Sequence, residues 1–166
     1  IDDGAEICVQ MDADMSHDPA VLAALIGNVE FGADLAIGSR YVPGGRTVDW
    51  PRRRRMLSRW GNRYAAGVLG LAVNDATAGY RAYSAAGLEQ MQFESVQADG
   101  YGFQVEMTYR MVSSGGKIVE FPISFHDRTE GVSRRSGSII QEALVQEMKI
   151  WLSDFRGRRR RRAEGR

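Results

Sequence analysis

The sequence predicts an α/β fold. Short apolar runs with strand character alternate along the chain with segments whose apolar residues recur at helical spacing. With 166 residues, 43% of them apolar, and with three Trp, six Phe and six Tyr, the chain can bury one core. Its single cysteine, Cys8, excludes a disulfide framework and favours a reducing compartment.

The first half of the chain reads as strand, turn, helix, strand. The run EICVQM at 6–11 predicts a strand, and Pro19 opens a predicted helix over 19–31. The next strand is predicted at 33–40. A loop rich in Gly and Pro follows at 41–51.

The second half continues the alternation. A helix is predicted over 52–71, a strand over 80–84, and a helix over 102–116 that two glycines end. The run 117–128 predicts an edge strand, because Pro122 lacks the N–H that a central strand would donate. Ligands of such sheets bind beyond the carboxyl ends of the strands, so side chains at those points are the site candidates.

The charge is unevenly distributed. The segment 156–166 carries seven Arg and one Glu, which predicts a polybasic disordered tail of charge +6, whereas residues 1–155 carry −5. Before the tail, 138–155 predicts an amphipathic helix ending in Trp151 and Phe155. That helix either packs on the parent domain or, with the tail, lies on an anionic membrane surface. No run reaches the ~20 apolar residues of a membrane span.

A pair of carboxylates follows the first predicted strand. In VQMDADMSHDP at 9–19, Asp12 and Asp14 are two residues apart, and in extended chain they would point the same way. Two carboxylates suit Mg²⁺ or Mn²⁺, which completes its shell with water and substrate phosphate. The alternative is that Asp12, Asp14 and Asp18 are turn and N-cap residues before the helix at Pro19.

Five motifs in fixed order carry a resemblance. MDADMSHDP, GSRYVPGG, RRRRMLSR, NDATAGYRAY and FHDRTEGVSR have the order and spacing seen in the polyprenol-phosphate mannosyltransferases. The chain resembles this family, whose eukaryotic form is dolichol-phosphate mannose synthase, within the inverting glycosyltransferases of family 2. The resemblance covers nearly all of 6–155. It implies a GT-A-like, Rossmann-like mixed sheet flanked by helices, lacking the family's N-terminal β-α-β portion, with 1–137 as the C-terminal part of the catalytic domain.

The resemblance also implies the site residues. Asp12, Asp14 and Ser16 take the donor-diphosphate and metal positions, with Asp12 and Asp14 as the metal ligands. Ser16 stands where many members have Gln. The remaining positions are all expected at the acceptor phosphate. They are Arg40 of the G-S-R motif, Arg54 and Ser58 of the R-x-x-x-S motif, Arg128 of the R-x-x-G-x-S motif, and Arg134. At Arg134 the chain reads Ser133-Arg134-Arg135 where many members read Ser-Lys-Met. Of these residues, Asp14, Arg40, Arg54 and Arg128 are the expected catalytic set.

The resemblance implies transfer of mannose from GDP-mannose to a polyprenyl or dolichyl phosphate, with Mg²⁺ or Mn²⁺ as the cofactor. The transfer inverts the anomeric configuration and gives a β-linked product for lipid-linked glycan or glycoprotein synthesis. A phosphate monoester is mostly dianionic at neutral pH, so it needs no general base. Cations must instead neutralise the departing diphosphate. Glu106 is therefore a weak candidate for a base. The enzyme is expected peripherally on the cytoplasmic face of the cell membrane. Inactivity of this chain by itself is an open alternative, because the base-binding portion is missing.

Other interpretations stay open. The donor could be a UDP-sugar. The Arg-rich segments could serve a nucleic-acid or anionic-surface binding protein without catalysis, although the acidic body and the lack of a recognition module argue against specific nucleic-acid binding. His-Asp at 17–18 and 126–127 could indicate a phosphohydrolase, but two histidines cannot build a His-rich two-metal site. Asp75 and Arg81 flank a turn, where a structural ion pair or a loop-ordering role is expected. Trp50, Trp60 and Tyr64 read as core or interface packing.

Overall fold

The structure is a computed structural model that describes residues 4–98 and 100–126. Its strands are β1 (Ile7–Gln10), β2 (Leu35–Ser39), β3 (Arg46–Thr47), β4 (Arg81–Ser84), β5 (Ile118–Pro122) and β6 (Ser124–Phe125). Its helices are α1 (Leu22–Glu30), α2 (Arg52–Leu69), α3 (Ala85–Gln90) and α4 (Gly100–Ser113), with 3₁₀ turns at Pro19–Val21 and Phe93–Ser95. The predicted segments 138–155 and 156–166, with Arg128 and Arg134, lie outside the described residues.

A mixed sheet forms the centre of the fold. Its order is β1–β4–β2–β5, with β4 antiparallel to both neighbours and β2 parallel to β5. Gln10 of β1 and Ile37 of β2 both lie opposite Arg81, at the start of β4. The carboxyl ends of β1 and β2 therefore meet the loop before β4 at the same end of the sheet. Substrates of open α/β sheets bind at such an end.

Helices cover both faces of the sheet. Side chains of a strand alternate between faces, so Leu35 and Ile37 of β2 face α3 and α4, whereas Ala36 faces α1. On the far side of α4, Ala65 and Leu69 of α2 pack against Val105 and Tyr109. These three clusters hold α2 on the sheet through α4. None of the helices in the described part of the chain is long and apolar enough to cross a bilayer.

The predicted elements are confirmed, with shifts at their ends. The strands predicted at 6–11, 33–40 and 80–84 form, and so do the three predicted helices, the first after a 3₁₀ turn. Asp18 is the N-cap of that turn, accepting the Ala20 N–H at 2.9 Å. Gly70 ends α2 in a left-handed conformation with φ +66°. The predicted edge position of 117–128 is also correct, because β5 lies at the edge of the sheet and ends at Pro122.

The structure adds two elements that the sequence did not indicate. The loop predicted over 41–51 contains β3, which pairs in parallel with β6. The helix α3 follows β4 directly, with the Ser84 hydroxyl accepting the Gly87 N–H at 2.9 Å as its N-cap. Strands of two residues carry no periodicity of their own, so only their pairing partner defines them. The pairing holds the loop beside the end of β2.

Gly45 should be intolerant of any side chain. A Cβ added there would lie 2.5 Å from the Ser39 carbonyl oxygen and 2.8 Å from the Arg40 carbonyl carbon, both of them backbone atoms. Gly45→Ala should therefore lower the free energy of unfolding by about 1–3 kcal/mol.

The matched control is Gly67→Ala in α2, where nothing lies within 4 Å of an added Cβ. In this variant the free energy of unfolding should rise by about 0.5–1 kcal/mol, because Ala has a higher helix propensity than Gly. Urea unfolding midpoints measure both variants, in a protein that carries this chain with its native flanking sequence. Equal effects of the two substitutions would show that the loop does not pack as described.

Candidate active site

A bent turn presents the two carboxylates that follow β1. The chain bends at residues 13–15, with Met15 in a left-handed conformation at φ +63°, so the extended geometry assumed from the sequence ends before Asp14. Asp12 is exposed, and Asp14 is half-buried. The Asp14 Oδ1 accepts both the N–H of Ser16, at 3.1 Å, and its hydroxyl. The bend, and not strand alternation, therefore sets the direction of Asp14 relative to Asp12.

Ser16 orders this turn from beneath. It is fully buried and donates twice to Asp14, while its carbonyl accepts the His126 N–H at 3.3 Å. The described contacts therefore make Ser16 a support for Asp14. Its predicted contact with a donor diphosphate or metal stays a prediction.

His17 closes the turn from the other side, and the sequence interpretation missed this role. Its Nδ1 accepts the Asp12 N–H at 3.0 Å, and its ring stacks on Tyr80 with centroids 4.8 Å apart. Burial lowers the pKa of His17, although the charges of Asp12 and Asp14 act in the opposite direction. The neutral ring keeps Nδ1 as an acceptor. The only sequence signal was a histidine three residues after the carboxylate pair, which is also common in ordinary turns.

Gly79 provides the surface against which Asp12 packs. A Cβ added at Gly79 would lie 3.5 Å and 3.6 Å from the two carboxylate oxygens of Asp12. The loop before β4 therefore contacts the turn after β1. This contact is the consequence of the antiparallel pairing of the two strands.

A buried ion pair joins the end of β2 to the same loop. Arg40 donates from Nε to Asp75 Oδ2 at 2.7 Å and from Nη2 to Asp75 Oδ1 at 2.6 Å, and its backbone N–H reaches Oδ2 at 3.0 Å. Asp75 has no exposed surface, and Arg40 is 7% exposed. Thr77 accepts a further bond from Arg40 Nη2 at 3.0 Å. Asp75 thus forms a structural ion pair, but its partner is Arg40 and not Arg81, the residue on the other side of the turn.

Aromatic rings surround the Arg40 guanidinium. Tyr41, Trp50 and Phe125 have centroids 5.2, 5.7 and 5.5 Å from its central carbon. Arg54 lies over the Trp50 ring at 4.0 Å. The Trp50 indole N–H is buried and has no acceptor among the described residues. A buried unsatisfied donor costs about 1–3 kcal/mol, so a ligand that supplies an acceptor here is favoured.

The first turns of α2 are fixed against this cluster. The Tyr41 hydroxyl donates to Ser58 Oγ at 2.6 Å. One turn later, the buried Asn62 donates to Thr77 Oγ1 at 3.0 Å and accepts the Thr77 N–H at 3.1 Å. Ser58 is therefore linked through Tyr41 to Arg40 at the end of β2.

Comparisons with known proteins show the family of the chain. The family model described as glycosyl transferase family 2 matches residues 4–91. The chain belongs to glycosyltransferase family 2. A polyprenol monophosphomannose synthase of Mycolicibacterium smegmatis is 49% identical over 141 residues, which are 85% of this chain and 53% of that protein. An undecaprenyl-phosphate mannosyltransferase of Micrococcus luteus is 49% identical over 86% of this chain and 58% of that protein.

A more distant relative is a dolichol-phosphate mannosyltransferase of Pyrococcus furiosus, which is 34% identical over 84% of this chain and 39% of that protein. The chain thus spans about half the length of the first two relatives. The resemblance to this group and the mixed α/β sheet predicted from the sequence are both confirmed.

The predicted residues of this family 2 chain fall into two groups. Asp12, Asp14 and Ser16 form the turn after β1, whereas Arg40, Arg54 and Ser58 surround the aromatic cluster. The His17 ring joins the groups, because it lies edge-on to Phe125 at 5.4 Å and its pKa responds to the charges of Asp12, Asp14 and Arg40. Arg128 and Arg134 lie outside the described residues.

Two other charged candidates have structural contacts. Glu106 accepts Arg110 Nε at 2.7 Å and the Ala98 N–H at 2.9 Å. Arg81 has no exposed surface and donates to backbone carbonyls of Ala76 and Ala78, both at 2.7 Å. Arg81 therefore orders the loop before β4, and Glu106 orders the residues before α4.

The turn after β1 fits a hard divalent cation. Within residues 4–98 and 100–126, no group of three or more His, Cys, Asp and Glu side chains gathers into an all-protein cage. Asp12 and Asp14 supply carboxylate oxygens only. Mg²⁺ typically takes one or two carboxylates together with waters and substrate phosphates, so this donor set suits it.

Removing the charge of Asp75 should destabilise the fold. Asp75→Asn leaves the Arg40 cation buried without its carboxylate, and breaking such a pair costs about 3–5 kcal/mol. Asp18→Asn makes the same chemical change at an exposed N-cap, where Asn caps as well as Asp, and it should be neutral. Urea unfolding of both variants checks the difference. A loss below about 1 kcal/mol for Asp75→Asn would contradict the buried pair.

Proposed function

We propose that the protein transfers mannose from GDP-mannose to a polyprenyl or dolichyl phosphate, with inversion, forming polyprenyl-phosphate β-mannose. The observation that carries the proposal is the juxtaposition of the two-carboxylate turn with Arg40, Arg54 and Ser58 at one end of the sheet. Such a site can bind two phosphorylated substrates side by side. The names of the relatives in M. smegmatis and M. luteus support the choice of sugar and lipid.

In this proposal, Asp12 and Asp14 hold Mg²⁺ or Mn²⁺ beside the donor diphosphate. A bound cation of this kind stabilises the negative charge that develops on the leaving diphosphate. Ser16 and His17 keep the turn in one conformation, since Ser16 donates to the Asp14 carboxylate and His17 accepts the Asp12 N–H. Carboxylates that are already oriented need little reorganisation during the reaction.

Arg54 and Ser58 are the proposed contacts of the acceptor phosphate. They lie one helical turn apart on α2, and Arg54 stacks on Trp50, whose buried N–H lacks an acceptor in the described structure. The charge of Arg40 is balanced by Asp75, so the acceptor dianion depends on further cations. Arg54 is one of them, and Arg128 and Arg134 are proposed as the others, as the resemblance implies.

The acceptor requires no general base. The acceptor phosphate oxygen is already ionised at neutral pH. Glu106, the carboxylate that the sequence offered as a candidate base, is hydrogen-bonded to Arg110 and to the Ala98 N–H. The proposed task of the site is to bring two anions together and to orient them for in-line attack at the anomeric carbon. Positioning of this kind supplies a large part of the rate in bimolecular transfers.

The activity is testable with the protein that carries this chain and its native flanking sequence. Incubation with labelled GDP-mannose, Mg²⁺ and a polyprenyl phosphate should place label in the organic phase, and EDTA should abolish it. Asp14→Asn should reduce the rate by at least about 100-fold, because transition-state charge stabilisation by one group contributes on this scale. Asp18→Asn is the matched control and should retain the rate.

Label from a UDP-sugar but not from GDP-mannose would keep the mechanism and change the donor. Equal rates for Asp14→Asn and Asp18→Asn would contradict the role of the turn. Transfer from no sugar nucleotide would instead favour a binding role at an anionic surface.

We further propose that α2 rests on the cytoplasmic face of the membrane, where the lipid acceptor is found. Exposed apolar side chains recur on one face of α2 at Met56, Leu57, Trp60 and Tyr64, and Trp60 stacks on Tyr64 with centroids 5.5 Å apart. Four exposed arginines flank them, at positions 52, 53, 59 and 63. Aromatic residues beside basic ones are typical of helices that lie in the interface of an anionic bilayer.

Trp60 should therefore contact lipid. On vesicles of phosphatidylglycerol containing brominated phosphatidylcholine, tryptophan emission should fall, and Trp60→Phe should remove most of this quenching. Met56→Glu should weaken it because a carboxylate enters the apolar face. Phe31→Glu is the control, since Phe31 is 90% exposed but lies at the end of α1. Equal loss in both Glu variants, or no quenching of Trp60, would contradict the proposal.

A further inference from the structure

Tyr41 connects the end of β2 to the proposed acceptor site on α2. Its hydroxyl donates to Ser58 Oγ at 2.6 Å across 17 positions of sequence. Its ring contacts two guanidinium groups, because the central carbons of Arg40 and Arg59 lie 5.2 Å and 5.4 Å from the ring centroid. Neither the motifs nor the comparisons give this residue a role.

The protons of the two hydroxyl groups decide what this contact can do. A serine hydroxyl has one proton and two lone pairs. A phenol is more acidic than an aliphatic alcohol and is therefore the stronger hydrogen-bond donor of the two groups. Tyr41 thus donates to one lone pair of Ser58, and the Ser58 proton points in another direction. Among the described residues, no hydrogen bond is donated by Ser58 Oγ. An anion beside Arg54, one turn earlier on α2, is within the range of directions that this proton can take.

We propose that Tyr41 is a positioning residue, which holds the Ser58 hydroxyl so that its proton is donated to the acceptor phosphate. This inference rests on the proposed function, because it assumes that the acceptor phosphate binds at Arg54 and Ser58. Tyr41 would then contribute to acceptor binding although its own atoms do not contact the substrate. The bond also becomes stronger when a phosphate accepts from Ser58, since hydrogen bonds in a chain polarise one another.

Two further observations are consistent with a donor role for Tyr41. Burial raises the pKa of Tyr41, so the phenol stays protonated at neutral pH. The position of α2 does not depend on Tyr41 alone, because Asn62 exchanges two hydrogen bonds with Thr77 and donates a third to the Ser58 carbonyl at 3.1 Å. Loss of the phenol hydroxyl should therefore leave the helix in place and release only the Ser58 side chain.

The experiment compares Tyr41→Phe, Ser58→Ala and the double variant in the protein with its native flanking sequence. Calorimetry measures binding of citronellyl phosphate, a short polyprenyl phosphate, without donor, and transfer assays give KM for acceptor and donor. Tyr41→Phe should weaken acceptor binding and raise acceptor KM about tenfold, the scale of one hydrogen bond to a charged group. The KM for GDP-mannose should not change.

Non-additivity is the decisive result. If Tyr41 acts through Ser58, Tyr41→Phe should have no further effect in the Ser58→Ala background. Tyr83→Phe is the matched control, because among residues 4–98 and 100–126 this buried phenol hydroxyl hydrogen-bonds only with Arg81, at 3.4 Å. The Tyr83→Phe variant should bind the acceptor normally. Effects of Tyr41→Phe and Ser58→Ala that add, or wild-type binding by Tyr41→Phe, would overturn the inference.

The readouts separate this inference from the proposed function. Binding of citronellyl phosphate that depends on Tyr41 and Ser58, without any mannose transfer, would support the positioning role and reject the reaction. Mannose transfer by Tyr41→Phe at the normal acceptor KM would support the reaction and reject the positioning role. Absence of acceptor binding by the unmodified protein would overturn both.

Discussion

The buried ion pair between Arg40 and Asp75 is the interaction on which the rest of the site depends. It joins the end of β2 to the loop before β4 through three hydrogen bonds to one carboxylate. Glu120 of β5 accepts the Asp75 N–H at 3.0 Å, so a third strand fixes the same loop. A buried charge pair tolerates little displacement, because each partner would be left desolvated and unpaired. The loop that carries Thr77 and Gly79 is therefore held in one position.

Other parts of the site are arranged around this pair. Gly79 supports Asp12 after β1, and Thr77 fixes Asn62 of α2. The Arg40 guanidinium in turn contacts the rings of Tyr41 and Trp50, at the two ends of the loop 41–51, and of Phe125 in β6. Because Asp75 neutralises Arg40, the aromatic cluster surrounds a pair with no net charge. Such a cluster orients the arginines that we propose as phosphate contacts more than it attracts phosphate itself.

The sequence predicted the helices and strands that have a clear periodicity. It did not predict the features that depend on contacts between residues far apart in the chain. The strand at 33–40 and the helix at 52–71 are visible because their apolar residues are repeated at fixed spacing. The short strand β3 and the role of His17 were missed, because each depends on a partner far along the chain or on a local bend. Asp75 was recognised as a structural residue, but its partner lies 35 positions away.

By itself, the sequence determined that the chain is an α/β protein, that a carboxylate pair follows its first strand, and that its motifs resemble the mannosyltransferases of family 2. These features are local, so they can be read along the chain. Only the tertiary structure decided that Arg40 is neutralised by Asp75, that Ser16 and His17 hold the carboxylate turn, and that Tyr41 reaches Ser58. Pairing of the strands brings these side chains together, and strand pairing depends on packing across the whole sheet.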